Sequence, residues 1–308
     1  MPGLGHFRLS RLMIGTVQFG QNYGIANRSG TPAYSEICAM LEEAAAEGVN
    51  CLDTACSDGN SEEVLGQALA DTGLRDFFFI VTKTDHSVPE DASAEEAGRH
   101  LRRSLEQSLR RLKVEHLPLV LLHRDTSPVH LEALAACRDS GLIGKCGVSF
   151  ASPANAQNLL SHPELEAVQA PVNVLDRRFA KVIRSAQQQG AFVFARSTFL
   201  QGLLLMNNAA TPAHLDVVRG DRAFFHKLAW DLDLTPAALL LRATIGRGDV
   251  DCVVVGMETR TQLRENLRII ETPHLPKDVM NAIAAFQPSV PEWLLDPSEW
   301  EGRTVQPA

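Results

Sequence analysis

Three ionisable side chains each close an apolar run of this chain: Asp53 ends Val49–Asp53, Lys83 ends Phe77–Lys83 and His123 ends Leu117–His123. Each alone has an ordinary explanation. An Asp before a turn is usually a cap, a Lys at a strand end is usually solvated, and a lone His is usually structural. Gathered at one place they form an acid–base site, because a carboxylate beside a buried ammonium keeps it protonated. Their chemistry therefore depends on whether the fold brings the three ends together.

The surrounding pattern supplies that fold. Short runs rich in Val, Ile, Leu and Phe occur at Leu12–Thr16, Val49–Asp53, Phe77–Lys83, Leu117–His123, Gly144–Ser149, Ala167–Pro171, Ala191–Ser197 and Cys252–Gly256. They are apolar on both faces, as parallel strands covered by helices must be. Helical patterns separate them: Ser35–Glu47, Ser61–Asp71, Ala94–Leu112, Pro128–Ser140, Pro153–Ser161, Arg178–Gln189, Pro236–Ile245 and Thr261–Ile269. Ser35 stands where a cap is wanted, and Glu36 favours the positive end of its helix. Gly48, Gly73, Gly141 and Gly190 follow four of these helices as C-terminal stops.

Strand–helix units in this order predict an α/β fold, a (β/α)8 TIM barrel with extra helices and a C-terminal tail. A doubly wound sheet is disfavoured, since the two glycines in Ile14–Gly20 have the wrong spacing for a dinucleotide fingerprint. In such a barrel the active site lies at the C-terminal strand ends, so Asp53, Lys83 and His123 are expected side by side around one mouth. We expect one domain, residues 1–308, with its core at about 12–270 and a helix and tail at 271–308. Extra helices are expected within Phe199–Thr235 and Leu275–Phe286. Trp293 and Trp300, in a tail with four prolines, are expected to pack it onto the barrel.

Composition narrows the function. The chain has 308 residues, 45% of them apolar, and a formal net charge of −8 with no long basic block. That predicts a small-molecule substrate rather than nucleic acid. No apolar run approaches the ~20 residues a membrane span needs, and no signal-like segment opens the chain, so a cytoplasmic location is expected. Six scattered cysteines, with no C-x-x-C pair and no His at zinc spacing, read as reduced thiols with no metal site. Cys56 alone lies near the chemistry.

The motifs carry a specific resemblance. Asp53-Thr54-Ala55 followed by Gly59, Ser61 and Glu62, Val81-Thr82-Lys83, Leu121-Leu122-His123-Arg124, Gly144-Lys145-Cys146-Gly147-Val148-Ser149 and Leu175-Asp176-Arg177-Arg178 resemble the aldo-keto reductase family in order and spacing, from about Leu12 to Ile270. Gly15-Thr16-Val17-Gln18-Phe19-Gly20, Tyr23–Asn27 and Arg196–Leu204 are similar to a bacterial branch linked to sugar metabolism. The resemblance implies hydride transfer between a nicotinamide, NADP with NAD as the alternative, and a small carbonyl or sugar-like substrate. It implies Lys83 as the cation that tunes the acid, Asp53 as its partner and His123 as a donor orienting the carbonyl oxygen. Gly15 and Thr16 fall on the cofactor side, and Ser149 and Gln169 would hold the carboxamide with Asn173 nearby. Arg196, Ser197 and Phe199 would line the pyrophosphate. Gly256 to Asn266 would cradle the adenosine phosphate, through Arg260, Gln262, Glu265 and Asn266. Gln262 stands where many relatives carry an arginine, with Arg260 as a substitute.

At one position the pattern departs from the family. Its proton-donating tyrosine falls at Asp58, and the chain has only two tyrosines, Tyr23 and Tyr34. Phe150-Ala151-Ser152 and Ala170-Pro171-Val172-Asn173 also carry fewer rings than relatives do, which implies a wider, more polar pocket. A carboxyl is normally ionised at neutral pH. Lys83 pushes Asp58 toward the anion, whereas Asp53 and burial push the other way. Three readings follow. The first is an NAD(P)H-dependent oxidoreductase in which Asp58, water or His123 supplies the proton, with Tyr23 a possible stand-in. The second is a non-redox lyase, epimerase or dehydratase using Asp58 and Lys83. The third is a catalytically silent nucleotide-binding barrel.

Overall fold

Alternation along each strand decides which side chains fill the barrel and which face its helices. In the structure, a computed structural model describing residues 1–85, 88–89, 91–123 and 128–301, eight parallel strands close into a barrel. They are β3 (Leu12–Gly15), β4 (Cys51–Asp53), β5 (Phe79–Lys83), β6 (Leu117–His123), β7 (Ile143–Ser149), β8 (Ala167–Pro171), β9 (Phe192–Arg196) and β10 (Cys252–Gly256), which pairs with β3 to close the ring. Met13, Cys51, Phe79, Val81, Leu119, Leu121, Phe192 and Phe194 point inward and fill it. Leu12, Ile14, Leu52, Ile80, Val120, Leu122, Val168 and Val253 point outward, against the helices. Burying each such side chain contributes about 1.5–3 kcal/mol. The layers leave little slack: a Cβ at Gly147 would lie 2.1 Å from the carbonyl oxygen of Ala167.

The base of the barrel is plugged by a feature the sequence pattern does not reveal. Strands β1 (Gly3–Leu4) and β2 (Phe7–Arg8) pair antiparallel, and Leu4 and Leu9 enter the interior layer. Helices α1 (Val17–Gly20), α2 (Tyr34–Ala46), α3 (Ser61–Asp71), α4 (Ala94–Leu112), α5 (Pro128–Asp139), α6 (Pro153–Leu160) and α7 (Ala180–Gln188) follow in turn. After β9 come three short 3-10 turns and α8 (Arg219–Asp231), then α9 (Pro236–Ile245), β10, α10 (Arg260–Glu271) and α11 (Lys277–Ala285). Gly48, Gly73, Gly141 and Gly190 all adopt positive φ, the left-handed conformation that stops a helix.

Ser35 is not a cap. Helix α2 begins one residue earlier, at Tyr34, because Ala33 after Pro32 is extended and takes the N-cap position without a side-chain bond. Ser35 therefore lies in the first turn. A second apolar cluster joins Leu200, Leu203, Phe225 and Leu239 to the tail through Leu294 and Trp300, whose indole N–H donates to the Leu294 carbonyl at 2.9 Å. Among the described residues no helix is long and apolar enough to cross a membrane. Arg124 of the Leu-Leu-His-Arg motif and residues 302–308 of the tail lie outside the described residues.

Candidate active site

The strand register lines up the expected residues at one end of the barrel. Asp53 is opposite Gly15 and Val81, Lys83 opposite Leu121, His123 opposite Ser149, Ser149 opposite Gln169, and Arg196 opposite Pro171. All these partners lie at or within two residues of their strand ends.

At the floor, Lys83 is 5% exposed and Asp53 9%. The ammonium donates to both Asp53 oxygens at 2.8 Å and to the Thr54 carbonyl at 2.9 Å. An ammonium has three donors, and all three are used. Lys83 therefore acts on the mouth through its charge rather than through a free N–H. Gln169 Nε2 donates to Asp53 Oδ1 at 2.8 Å, and Gln169 Oε1 accepts from Ser149 Oγ at 3.0 Å. One chain of bonds thus runs from Ser149 through Gln169 and Asp53 to Lys83. Residue types alone do not reveal this link.

Above the floor lies the turn of residues 54–60. Ser57 Oγ is 3.1 Å from His123 Nδ1, and Thr84 Oγ1 accepts from the His123 backbone N–H at 3.3 Å. No ion pair joins Asp58 to Lys83, whose bridge is with Asp53. Desolvation dominates at Asp58 and, with the neighbouring Asp53 and Glu62 carboxylates, outweighs Lys83, so its pKa is pushed up from 3.8 to about 6. Asp58 therefore exchanges a proton near neutrality. Cys56 has no such role, since burial raises its thiol to about 12 and holds it as the unreactive neutral form.

Two glycines fix the height of this turn. A Cβ at Gly20 would lie 2.2 Å from both the Asp58 carbonyl oxygen and the Ser61 nitrogen. At Gly59, whose φ is 62°, a Cβ would lie 2.5 Å from the Gly20 carbonyl oxygen. Backbone packs on backbone there, and only glycine permits it. Hydroxyls secure the same turn: Ser61 Oγ donates to the Thr16 carbonyl at 2.7 Å, and Thr16 Oγ1 to the Asp53 carbonyl at 3.0 Å. Thr16 is fully buried by these bonds. It therefore positions Asp53 and offers no surface to a ligand. Gly15 is likewise enclosed, with the Gly256 backbone beside it.

Tyr23 reaches the same mouth from the loop after α1. Its phenol lies near Arg196 and Asp58 and accepts from Gln201 Nε2 at 3.2 Å; desolvation raises its pKa further. Glu62 is 1% exposed and accepts from Thr82 Oγ1 at 2.6 Å, from Ser108 and from Arg111. It pins the strand that carries Lys83.

The opposite side of the mouth has an anion-binding character. Arg196 donates to the Phe150 carbonyl at 3.0 Å and to Ser197 Oγ at 3.2 Å. No carboxylate of the described residues forms an ion pair with it, and desolvation lowers its pKa. A desolvated guanidinium without an acid is incomplete. Thr198 Oγ1 beside it is buried with no partner. Ser197, Leu200 and Gln201 hold positive φ without being glycine, strain that clusters at ligand-binding turns. Phe199 packs between the two apolar clusters. Asn173 is held inside its loop, accepting from Leu175 and Asp176 amides and donating to the Ser197 carbonyl. These features fit a dinucleotide, whose pyrophosphate would supply the missing negative charge.

At α10 the arrangement departs from the sequence expectation. Arg260 is bound by Glu36, and Gln262 caps its own helix with Thr259. Glu265 is exposed. Asn266 is 6% exposed, enclosed within the helix packing rather than open to a ligand.

Barrel, floor and mouth together define an aldo-keto reductase scaffold. Residues 11–288 match the Aldo/keto reductase family, an oxidoreductase family to which the chain belongs. The uncharacterized oxidoreductase YqkF of Bacillus subtilis is 22% identical over 265 residues, covering 80% of this chain and 85% of that one. Methylglyoxal reductase YeaE of Escherichia coli is 37% identical over 121 residues, 38% of this chain and 39% of that one. The holo form of aldo-keto reductase AKR11C1 from Bacillus halodurans shares the fold, with a TM-score of 0.76, 20% identity and coverage of 92% and 93% of the two chains.

Proposed function

We propose that this protein is a nicotinamide-dependent reductase of a small carbonyl or sugar-like substrate in which Asp58 is the proton donor. The observation that carries the reading is the Asp58 carboxyl, raised to about 6 at the mouth where Lys83 and His123 converge. A reduced nicotinamide, when bound, supplies a hydride to the carbonyl carbon. Asp58 then gives its proton to the carbonyl oxygen and is left as a carboxylate, which solvent reprotonates. Lys83, kept charged by Asp53, stabilises the negative charge that develops on that oxygen. The His123 imidazole, steered by Ser57, orients the oxygen.

On the other side the Ser149 hydroxyl meets the carboxamide, and Gln169, fully buried and bonded to both Asp53 and Ser149, holds that hydroxyl in place. Arg196 pairs with the pyrophosphate, aided by Ser197 and the orphaned Thr198 hydroxyl. The whole chain is read as a single barrel domain, with α11 and the tail closing it. Methylglyoxal reduction, the activity YeaE is named for, belongs to a relative matched over less than half its length. It supports a small carbonyl as the first substrate class to assay.

Titration with NADH and NADPH, followed by protein fluorescence, comes first. Absence of binding to either would sink the reductase reading. Given binding, reduction of small aldehydes should fall as pH rises through about 6, where Asp58 loses its proton. Asp58→Asn should lower the rate ~100-fold or more, the usual worth of a general acid, and remove that pH limb. Tyr23→Phe should change it only a few-fold; the reverse ranking would transfer the proton to Tyr23. Asp58→Tyr should raise reduction of simple aldehydes.

A further inference from the structure

In barrels of this class a phosphate site is commonly built from the loops after the seventh and eighth strands and a helix N-terminus. Here those strands are β9 and β10, and the helix is α10. Its N-terminus should be a ready anion site, but this chain has already filled it. The backbone N–H of Arg260 donates to Glu36 Oε1 at 2.9 Å, from α2, 224 residues away, and Arg260 Nε donates to Glu36 Oε2 at 3.2 Å. Arg264, one turn on, is bound through two nitrogens by Glu43. Both arginines that an extra phosphate would seek are therefore paired with carboxylates of α2.

A further carboxylate stands at the entry to the helix. Glu258 accepts from Gln262 Nε2 at 2.6 Å, while Glu258 and Thr259 amides donate to Gln262 Oε1. Gln18 Nε2 approaches Glu258 Oε1 at 3.5 Å, and Gln18 Oε1 is buried with no partner. Gln18 is 6% exposed and lies against Gly256, where a Cβ would meet its carboxamide at 2.5–2.9 Å. Gln18 Oε1 is thus an acceptor without a donor, and Glu258 Oε1 receives only the long 3.5 Å approach of Gln18 Nε2. A ribose diol has two hydroxyls to donate. A 2′-phosphate brings further acceptors and nearly two negative charges. Elsewhere, carboxylates on the ribose mark NAD sites and arginines mark NADP sites.

We infer that the nucleotide site selects NAD(H) against NADP(H), with Glu258 and Gln18 accepting from the adenosine ribose and Glu36 occupying the place of a 2′-phosphate. The inference rests on the nicotinamide reading above and reverses the NADP preference that the sequence suggests. Unlike an arginine-lined site, this one is specified by repulsion as well as fit.

Equilibrium titrations of the purified protein with NADH and NADPH, by fluorescence and by thermal shift, test it without any turnover. NADH should bind at least ~10-fold more tightly at low salt, since a like-charge contact at a binding site is strongly disfavoured. The gap should narrow at high salt, which screens the repulsion. In the double variant Glu36→Gln/Glu258→Gln, NADPH affinity should rise ~10-fold and NADH affinity should fall, with the circular dichroism melt confirming a folded barrel. Equal affinity for the two, or tighter NADPH, overturns the inference while leaving the reductase reading intact. A wild-type preference for NADH that the double variant retains also overturns it, since the carboxylates would not be its cause. Binding of neither would remove the nicotinamide reading itself, and the selectivity with it.

Discussion

The floor of the mouth and the turn above it place two carboxylates in the same short stretch and treat them oppositely. Asp53 is locked: both oxygens receive Lys83, Oδ1 also receives Gln169, and its backbone carbonyl receives Thr16. Asp58 has none of those partners and is raised to about 6. The difference separates holding charge from moving it. A saturated ion pair supplies a fixed field, and an underpaired carboxyl in the turn that follows it does the titrating.

Breaking the floor should have the largest effect. Asp53→Asn leaves a buried ammonium facing an amide, and removal of one partner from a buried pair destabilises by about 3–5 kcal/mol. The midpoint of urea unfolding should fall accordingly, with little change in slope. Carbonyl reduction should be lost along with it. A small change in midpoint would mean that water, not burial, surrounds Lys83.

That floor is legible in the amino-acid sequence, and the reason is periodicity. Asp53, Lys83 and His123 each end an apolar run, so the strand pattern alone sets them around one mouth. The eight strands fall where the Val, Ile and Leu runs lie, within a few residues at each end. The features that the sequence hides have little local signal. Gly3–Leu4 and Phe7–Arg8 are too short to show alternation. Ser35 has the residue type of a cap, whereas Pro32 and Ala33 set the helix start a residue earlier. Glu36 reads as a favourable charge on its own helix; its partner, Arg260, is 224 residues away. Gly20 offers no turn signature, because its role is contact with another backbone.

Gly20 also gives the next test of the contrast. Gly20→Ala inserts a methyl 2.2 Å from the Asp58 carbonyl oxygen and the Ser61 nitrogen, so the turn must lift. Overpacking of this kind typically destabilises by about 1–3 kcal/mol. The more telling readout is the pH midpoint of activity. A lifted turn moves Asp58 toward water and weakens its desolvation, so the midpoint should drop below about 6. A loss of stability with an unmoved midpoint would show that this contact supports the fold but does not position the acid.

The smallest expected effect is the most diagnostic of which force rules Asp58. Its folded pKa of about 6 exceeds its ordinary 3.8, so the native state binds the proton more tightly than the unfolded chain does. Ionisation of Asp58 therefore works against the fold, with the penalty growing between about pH 4 and pH 6 and constant above that. Asn cannot ionise and avoids it. Asp58→Asn should melt like the parent near pH 4, and at higher temperature than the parent at pH 7 and above. A shift of this size caps the gain at about 3 kcal/mol, and partial access to solvent reduces it. The opposite sign, with the variant less stable at pH 7, would mean that Lys83 attracts the carboxylate more strongly than burial repels it. Asp58 would then stay ionised well below pH 6 and serve as a base rather than an acid, and the contrast between the locked floor and the titrating turn would collapse into a single charge cluster.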